Sequence, residues 1–152
     1  MEELSILLNP FNIIIPDAIG KFSASLKAIV TGKSQIKGRI PMGIGSLKNL
    51  NLLLLRGNSL TGNIPSTFGG LESLQRLFLK DNMIEGLIPE QLCQLKNLEE
   101  LLLSNNSLWI HTELHWKPES FGDSGLEFQQ VGIINNHQIY GALQICCSRI
   151  YH

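Results

Sequence analysis

The sequence predicts an α/β-class, right-handed solenoid, a horseshoe with a parallel concave β-sheet and a convex side of short strands and 3₁₀ turns. Three observations carry this prediction. From Ile40 to Leu108 one pattern recurs at a fixed spacing, opened by Ile40-Pro41, Ile64-Pro65 and Ile88-Pro89 (64 − 40 = 24, 88 − 64 = 24). Each copy holds two leucines two apart, namely Leu53/Leu55, Leu77/Leu79 and Leu101/Leu103. Each then places an asparagine at one fixed position, Asn58, Asn82 and Asn106. A fixed period of about 20 to 50 residues marks stacked units, each of which buries its apolar face only against its neighbours.

The physics of each part follows from spacing. Two leucines two apart on a strand point to the same face, which must be the interior, and the residues between them face outward. The chain must then turn sharply, and an asparagine that bonds to backbone groups suits the inside of that turn. Stacked copies would set these asparagines in a ladder. Thr61-Gly62-Asn63-Ile64-Pro65 and Glu85-Gly86-Leu87-Ile88-Pro89 follow. Their glycine relaxes backbone limits and their proline blocks a regular helix, so the return side should be short strand and 3₁₀ turn.

In chain order, Leu4-Ser5-Ile6-Leu7-Leu8-Asn9-Pro10-Phe11 aligns with Leu53 to Leu60 at a constant offset of 49, so the opening is already inside a repeat. The next copy, from Ile15-Pro16 to Arg39, carries one extra residue around Phe22-Ser23-Ala24-Ser25. Beyond it Leu26, Ile29, Ile36 and Gly38 match Leu50, Leu53, Leu60 and Gly62. Thr31 stands where Leu55 stands and Ser34 replaces the turn asparagine, which predicts a weaker local core. The copies from Ile40 to Leu108 are near ideal, with Leu47, Leu71 and Leu95 also in step.

The pattern L-x-x-L-x-L-x-x-N-x-L is that of leucine-rich repeats. Leu50 to Leu71, LNLLLLRGNSLTGNIPSTFGGL, resembles the plant-type form that fills the ectodomains of plant leucine-rich-repeat receptor-like serine/threonine kinases. The phrases Ile36 to Pro41 and Gln91 to Leu98 resemble the group with pathogen-sensing members. The resemblance covers Leu4 to Leu108. It implies extracellular recognition of a protein, peptide or microbial ligand at the plasma membrane, in signalling or defence. A free-standing repeat protein, either inhibitor or scaffold, is a second reading, and an inactive product of a disrupted receptor gene a third.

After Leu108 the pattern stops, because Ile110 replaces the expected glycine and Thr112-Glu113 the expected Ile-Pro pair. Residues 1–111 are therefore read as about four and a half uncapped repeats, and 112–152 as a divergent, poorly ordered tail. Permitted codons for Trp109 to Gln130, read one base later, can spell a further repeat. The tail is thus expected to be frameshifted sequence, never selected to bury its apolar residues.

Composition narrows the functional classes. A net charge of −1 gives no electrostatic case for nucleic acid or an anionic membrane surface. No run approaches the roughly 18 apolar residues of a membrane span, and the N-terminus lacks the basic start and apolar core of a secretion signal. Three cysteines, Cys93, Cys146 and Cys147, do not suggest a disulfide framework. His111-Thr112-Glu113-Leu114-His115 lacks the H-E-x-x-H spacing of a catalytic zinc helix, so no metal or cofactor is expected. Phosphoryl transfer would need a glycine-rich loop, an ion-pairing lysine and metal-holding aspartates, and Phe121-Gly122-Asp123 is not an Asp-Phe-Gly motif. The chain reads as non-catalytic.

The candidate binding residues lie around the Leu-x-Leu strands. Ser5, Val30, Leu54, Phe78 and Leu102 should form a central outward column, apolar in four of five copies. Arg76 and Glu100 flank it on one side, and Arg56, Lys80, Asp81, Ser104 and Asn105 on the other. An apolar stripe rimmed by charge suits a protein or peptide partner. Asn105-Asn106-Ser107 is the one glycosylation sequon, with Asn105 as acceptor.

Overall fold

The computed structural model describes residues 3–5, 13–21, 25–112 and 127–130. Strands β1 (Glu3–Ser5), β2 (Ala28–Val30), β4 (Leu52–Leu54), β6 (Arg76–Phe78) and β8 (Glu100–Leu102) pair in that order, all parallel, as the concave sheet. The central residue of each strand points inward. Ile29, Leu53, Leu77 and Leu101 are no more than 1% exposed, and Leu4 packs against the same core. Leu4 pairs with Ile29 and Ile29 with Leu53, so the predicted offset of 49 places the first strand correctly.

A second sheet forms on the lateral side from β3 (Lys37–Arg39), β5 (Ser59–Gly62), β7 (Met83–Leu87) and β9 (Ser107–Thr112), again parallel. Its register joins positions 22 apart, as in Lys37 with Ser59 (59 − 37 = 22), whereas concave partners such as Leu52 and Arg76 are 24 apart (76 − 52 = 24). The difference is even, so the alternation of inward and outward side chains is preserved. Leu60, Ile84 and Leu108 accordingly stay buried.

The convex side consists of 3₁₀ turns at Asp17–Lys21, Met42–Ser46, Ser66–Gly70 and Glu90–Gln94. Pro41, Pro65 and Pro89 precede the last three, with φ of −65°, −63° and −68°. The proline fixes the entry angle, and its carbonyl accepts the first three-residue hydrogen bond: Ile44 N–H to Pro41 O, Phe68 N–H to Pro65 O and Leu92 N–H to Pro89 O. These turns stack closely. A Cβ on Gly45 would collide with Thr67 O, and one on Gly70 would sit 2.6 Å from Gly45 O. Cys93 stands at the Gly45 and Gly69 position, in the last 3₁₀ turn among the described residues. The cysteine count suggests no disulfide framework, yet Cys93 is disulfide-bonded; Cys146 and Cys147 lie outside the described residues.

The predicted asparagine ladder is present. Asn82 Nδ2 donates to Leu79 O (2.9 Å) and Lys80 O (3.3 Å) in its own turn and to Leu55 O (3.0 Å) in the preceding one. Its Oδ1 accepts Leu60 N–H at 3.2 Å. Asn106 repeats the arrangement with Leu103 O, Ser104 O, Leu79 O and Ile84 N–H. Each amide thus closes one turn and pins the next. Between strand and asparagine the backbone enters the left-handed region once per turn, at Lys33, Gly57, Asp81 and Asn105 (φ 53°, 66°, 58° and 55°).

The degraded repeat is supported by its neighbour. Ser34 is too short to span its turn, and its hydroxyl donates to Gly32 O at 3.2 Å. Asn58 of the next turn accepts both Ser34 N–H (3.1 Å) and Ile36 N–H (3.2 Å) and donates to Thr31 O (3.3 Å). Thr31 is fully buried in the leucine position, and its hydroxyl donates to Leu54 O. Gln35 adds a left-handed residue, at φ 53°, where its counterparts Ser59, Met83 and Ser107 have none. Of the stretch Phe22-Ser23-Ala24-Ser25, where the extra residue is expected, 22–24 lie outside the described residues.

Beyond Leu108 the sequence offers no period, yet β10 (Glu127–Gln130) pairs antiparallel with β9, setting Glu127 beside Thr112 and Gln130 beside Trp109. Strand pairing uses backbone N–H and C=O groups, so it does not require a side-chain pattern. The rest of the predicted tail lies outside the described residues.

Two stability outcomes follow. Leu77→Ala should cost about 2 to 5 kcal/mol, since Leu77 is fully buried between two regular turns. Leu54→Ala, on the outer surface of the same sheet, should cost much less; chemical denaturation of both variants is the check, and equal losses would refute the facing assignment. Asn82→Ala should lower the unfolding midpoint more than Ser34→Ala. The first orphans Leu60 N–H inside the ladder, at about 1 to 3 kcal/mol, while Asn58 continues to hold the Ser34 turn. Equal midpoints would show that the ladder does not hold the turns.

Candidate ligand-binding surface

Strand register brings the predicted central column together. Val30 pairs with Leu54, Leu54 with Phe78 and Phe78 with Leu102, each one strand, about 4.8 Å, from the next. All four are half-buried. That exposure is what the alternation demands, because their neighbours Leu53, Leu77 and Leu101 take the interior. Ser5 continues the column beside Val30.

Two flanking columns run beside it. Ala28, Leu52, Arg76 and Glu100 are successive register partners on the side where the strands begin. On the side where they end, backbone bonds align the turns. Lys33 N–H donates to Arg56 O, Gly57 N–H to Lys80 O and Asp81 N–H to Ser104 O, which places Arg56 next to Lys80 and Lys80 next to Ser104. Arg56 and Arg76 are exposed and Lys80 is half-exposed. Lys80 Nζ lies 3.6 Å from Asp81 Oδ2, and Asp81 Oδ1 accepts from Asn105 Nδ2 at 2.6 Å. Asn105, the sequon residue, sits on the rim of this surface, exposed and in the left-handed conformation.

Leu52 and Lys33 share the surface, although neither is among the candidates drawn from the sequence. The period carried a signal for both, since Leu52 stands one repeat before Arg76 and Lys33 two repeats before Asp81. The Lys33 side chain lies over Gly57, with Cγ 3.3 Å from where a Cβ would stand.

Elsewhere the electrostatics are plain. On the exposed shoulder after the 3₁₀ turns, Lys48 Nζ donates to Glu72 Oε1 at 2.8 Å, and this hydrogen bond and the charge of Glu72 raise the Lys48 pKa. Both side chains are largely exposed, at 69% and 64%, so the pair is a minor contributor. Among the described residues no group of three or more His, Cys, Asp or Glu could hold a metal ion. His111 is in β9, while Glu113 and His115 lie outside the described residues. Among the described residues no helix is long and apolar enough to cross a membrane.

Comparison with known proteins agrees with the repeat fold. Residues 46–108 match a family model described as Leucine rich repeat, and residues 97–123 match a second Leucine Rich Repeat model. Among solved structures, the chain is similar to PEPR1–AtPEP1, at 40% identity and TM-score 0.67 over 69% of this chain and 15% of that one. It is similar to the LRR ectodomain of the receptor kinase SOBIR1 from Arabidopsis thaliana, at 32% identity and TM-score 0.64 over 69% of this chain and 56% of that one. It is also similar to the plant peptide hormone receptor RGFR1 in complex with RGF2, at 28% identity and TM-score 0.52 over 62% of this chain and 19% of that one. The chain therefore spans 15% of the first of these proteins and 56% of the second. No curated protein matches the chain by sequence.

Proposed function

The chain is a plant-type leucine-rich-repeat protein, and on that premise we propose that its concave sheet is a non-catalytic surface for a peptide or protein ligand, acting on the extracellular side in signalling or defence. The observation that carries the reading is the register-aligned column Val30, Leu54, Phe78 and Leu102, half-buried apolar side chains on a face that the fold does not use for its own core. Such a stripe, flanked by Arg56, Arg76 and Lys80, has the apolar centre and polar rim of a recognition surface. Similarity to the plant peptide hormone receptor RGFR1 in complex with RGF2 supports a peptide as the ligand class. Asn105 serves as a glycan acceptor at the edge of this surface.

Selection of binders from a displayed peptide library tests the reading. Selected peptides should lose at least about tenfold in affinity for a Leu54→Ser/Phe78→Ser variant, since each loses an apolar contact worth about 1 kcal/mol or more. The unfolding midpoint should move little by comparison. Binders indifferent to the double change would overturn the concave site. On secretory expression, Asn105→Gln should remove one glycan from the intact mass; an unchanged mass would refute Asn105 as the acceptor.

A further inference from the structure

The two flanks of the concave sheet differ in charge. Where the strands begin, Arg76 is the register partner of Glu100, so opposite charges stand side by side, and the next residues along, Leu52 and Ala28, are uncharged. Where the strands end, Arg56 and Lys80 stand in adjacent turns, like charges one strand spacing apart, about 4.8 Å. They lie two residues beyond Leu54 and Phe78 and so share the face of the apolar column. Exposed Lys33, one turn before Gly57, extends the same sign. Among the described residues the one carboxylate on this flank is Asp81, which stands 3.6 Å from Lys80 and is also held by Asn105. Among the described residues Arg56 has no ion-pair partner. Like charges on neighbouring strands are unfavourable without a counter-charge, and this flank leaves an excess of positive charge beside an apolar stripe.

We propose that the ligand of this surface is an extended acidic peptide segment of about four or five residues. Its apolar side chains lie on the column from Val30 to Leu102, and its Asp or Glu side-chain carboxylates face Arg56 and Lys80. The length follows from geometry: three strand intervals of about 4.8 Å are crossed by an extended chain rising about 3.3 Å per residue. This inference rests on the concave-binding reading and adds the chemical class of the ligand.

The test uses the full chain and an array of acetylated, amidated pentapeptides of Leu, Val and Phe, with one Glu, Gln or Lys scanned through every position. Side-chain carboxylates are then the only anions present. The best Glu peptides should bind about fivefold or more above their Gln counterparts at low salt, and the gap should close as salt rises from about 0.05 to 0.5 M. Arg56→Gln/Lys80→Gln should erase the preference, and Arg56→Glu/Lys80→Glu should turn it toward Lys. Equal binding of Glu and Gln peptides, or a Glu preference that survives the Gln double variant, would overturn the acidic-ligand inference. If Phe78→Ser still abolished that binding, the concave site itself would stand. Absence of binding by every peptide, or binding indifferent to Phe78→Ser, would remove the concave site and this inference with it.

Discussion

The side-chain amide of one asparagine per turn is the contact on which the other features depend. Asn82 donates to carbonyls of its own turn and of the turn before, and accepts an N–H from that earlier turn. A short parallel strand of three residues has little stability alone. What fixes it is that the bend after it is tied both internally and to its neighbour, so turns can form only in register with one another. The constant period is the sequence expression of that requirement, since a different spacing would move the amide away from the groups it must satisfy. In a low-dielectric interior an unpaired N–H is costly, which is why each turn's buried N–H finds an asparagine oxygen of the following turn.

The three sides of each turn carry different constraints. Inside, leucines fill a core in which Leu50, Leu53, Leu55 and Leu60 are all inaccessible. On the convex side, backbone stacks so closely on backbone that a single Cβ on Gly45 would collide with Thr67 O. On the concave side no such restriction operates, and Leu54, Phe78 and Leu102 occupy one column alongside Arg56 and Lys80 in the next. On this surface the outward column is set by strand alternation and not by core packing. The fold separates inward-packed from outward-facing positions by geometry, within a single repeat.

The irregular turn shows how much error the stack absorbs. Ser34 and Thr31 break the pattern at a buried turn and a buried strand position, yet both hydroxyls find acceptors and Asn58 bonds to two of the local N–H groups. The irregularity surfaces as a left-handed Gln35, a non-glycine residue at a position that is not left-handed in the regular turns. A defect in one turn is thus carried by the regular turn that follows it.

Repetition made most of the fold legible, because a residue type recurring at one phase of a fixed period reports an environment that recurs with it. Leu53, Leu77 and Leu101 could be assigned to the interior, and Val30, Leu54, Phe78 and Leu102 to one outward column, from spacing and strand alternation alone. The asparagine ladder and the proline-led 3₁₀ turns were legible for the same reason. Features that depend on pairing between segments, or that do not repeat, were not. The shorter register of the lateral sheet, the pairing of Glu127–Gln130 with β9 and the disulfide at Cys93 leave no periodic trace. Nor could the sequence show that Asn58 sustains the turn of Ser34, whereas the period already set Arg56 in line with Lys80 and Arg76 in line with Glu100. The sequence by itself determined the period, and hence the turn and the side each residue faces, because those follow from local backbone geometry. The register of the lateral strands, the pairing of β10 with β9 and the bonds that tie the irregular turn to the next were decided only when the turns stacked, because they are set by backbone and side-chain hydrogen bonds between segments distant along the chain.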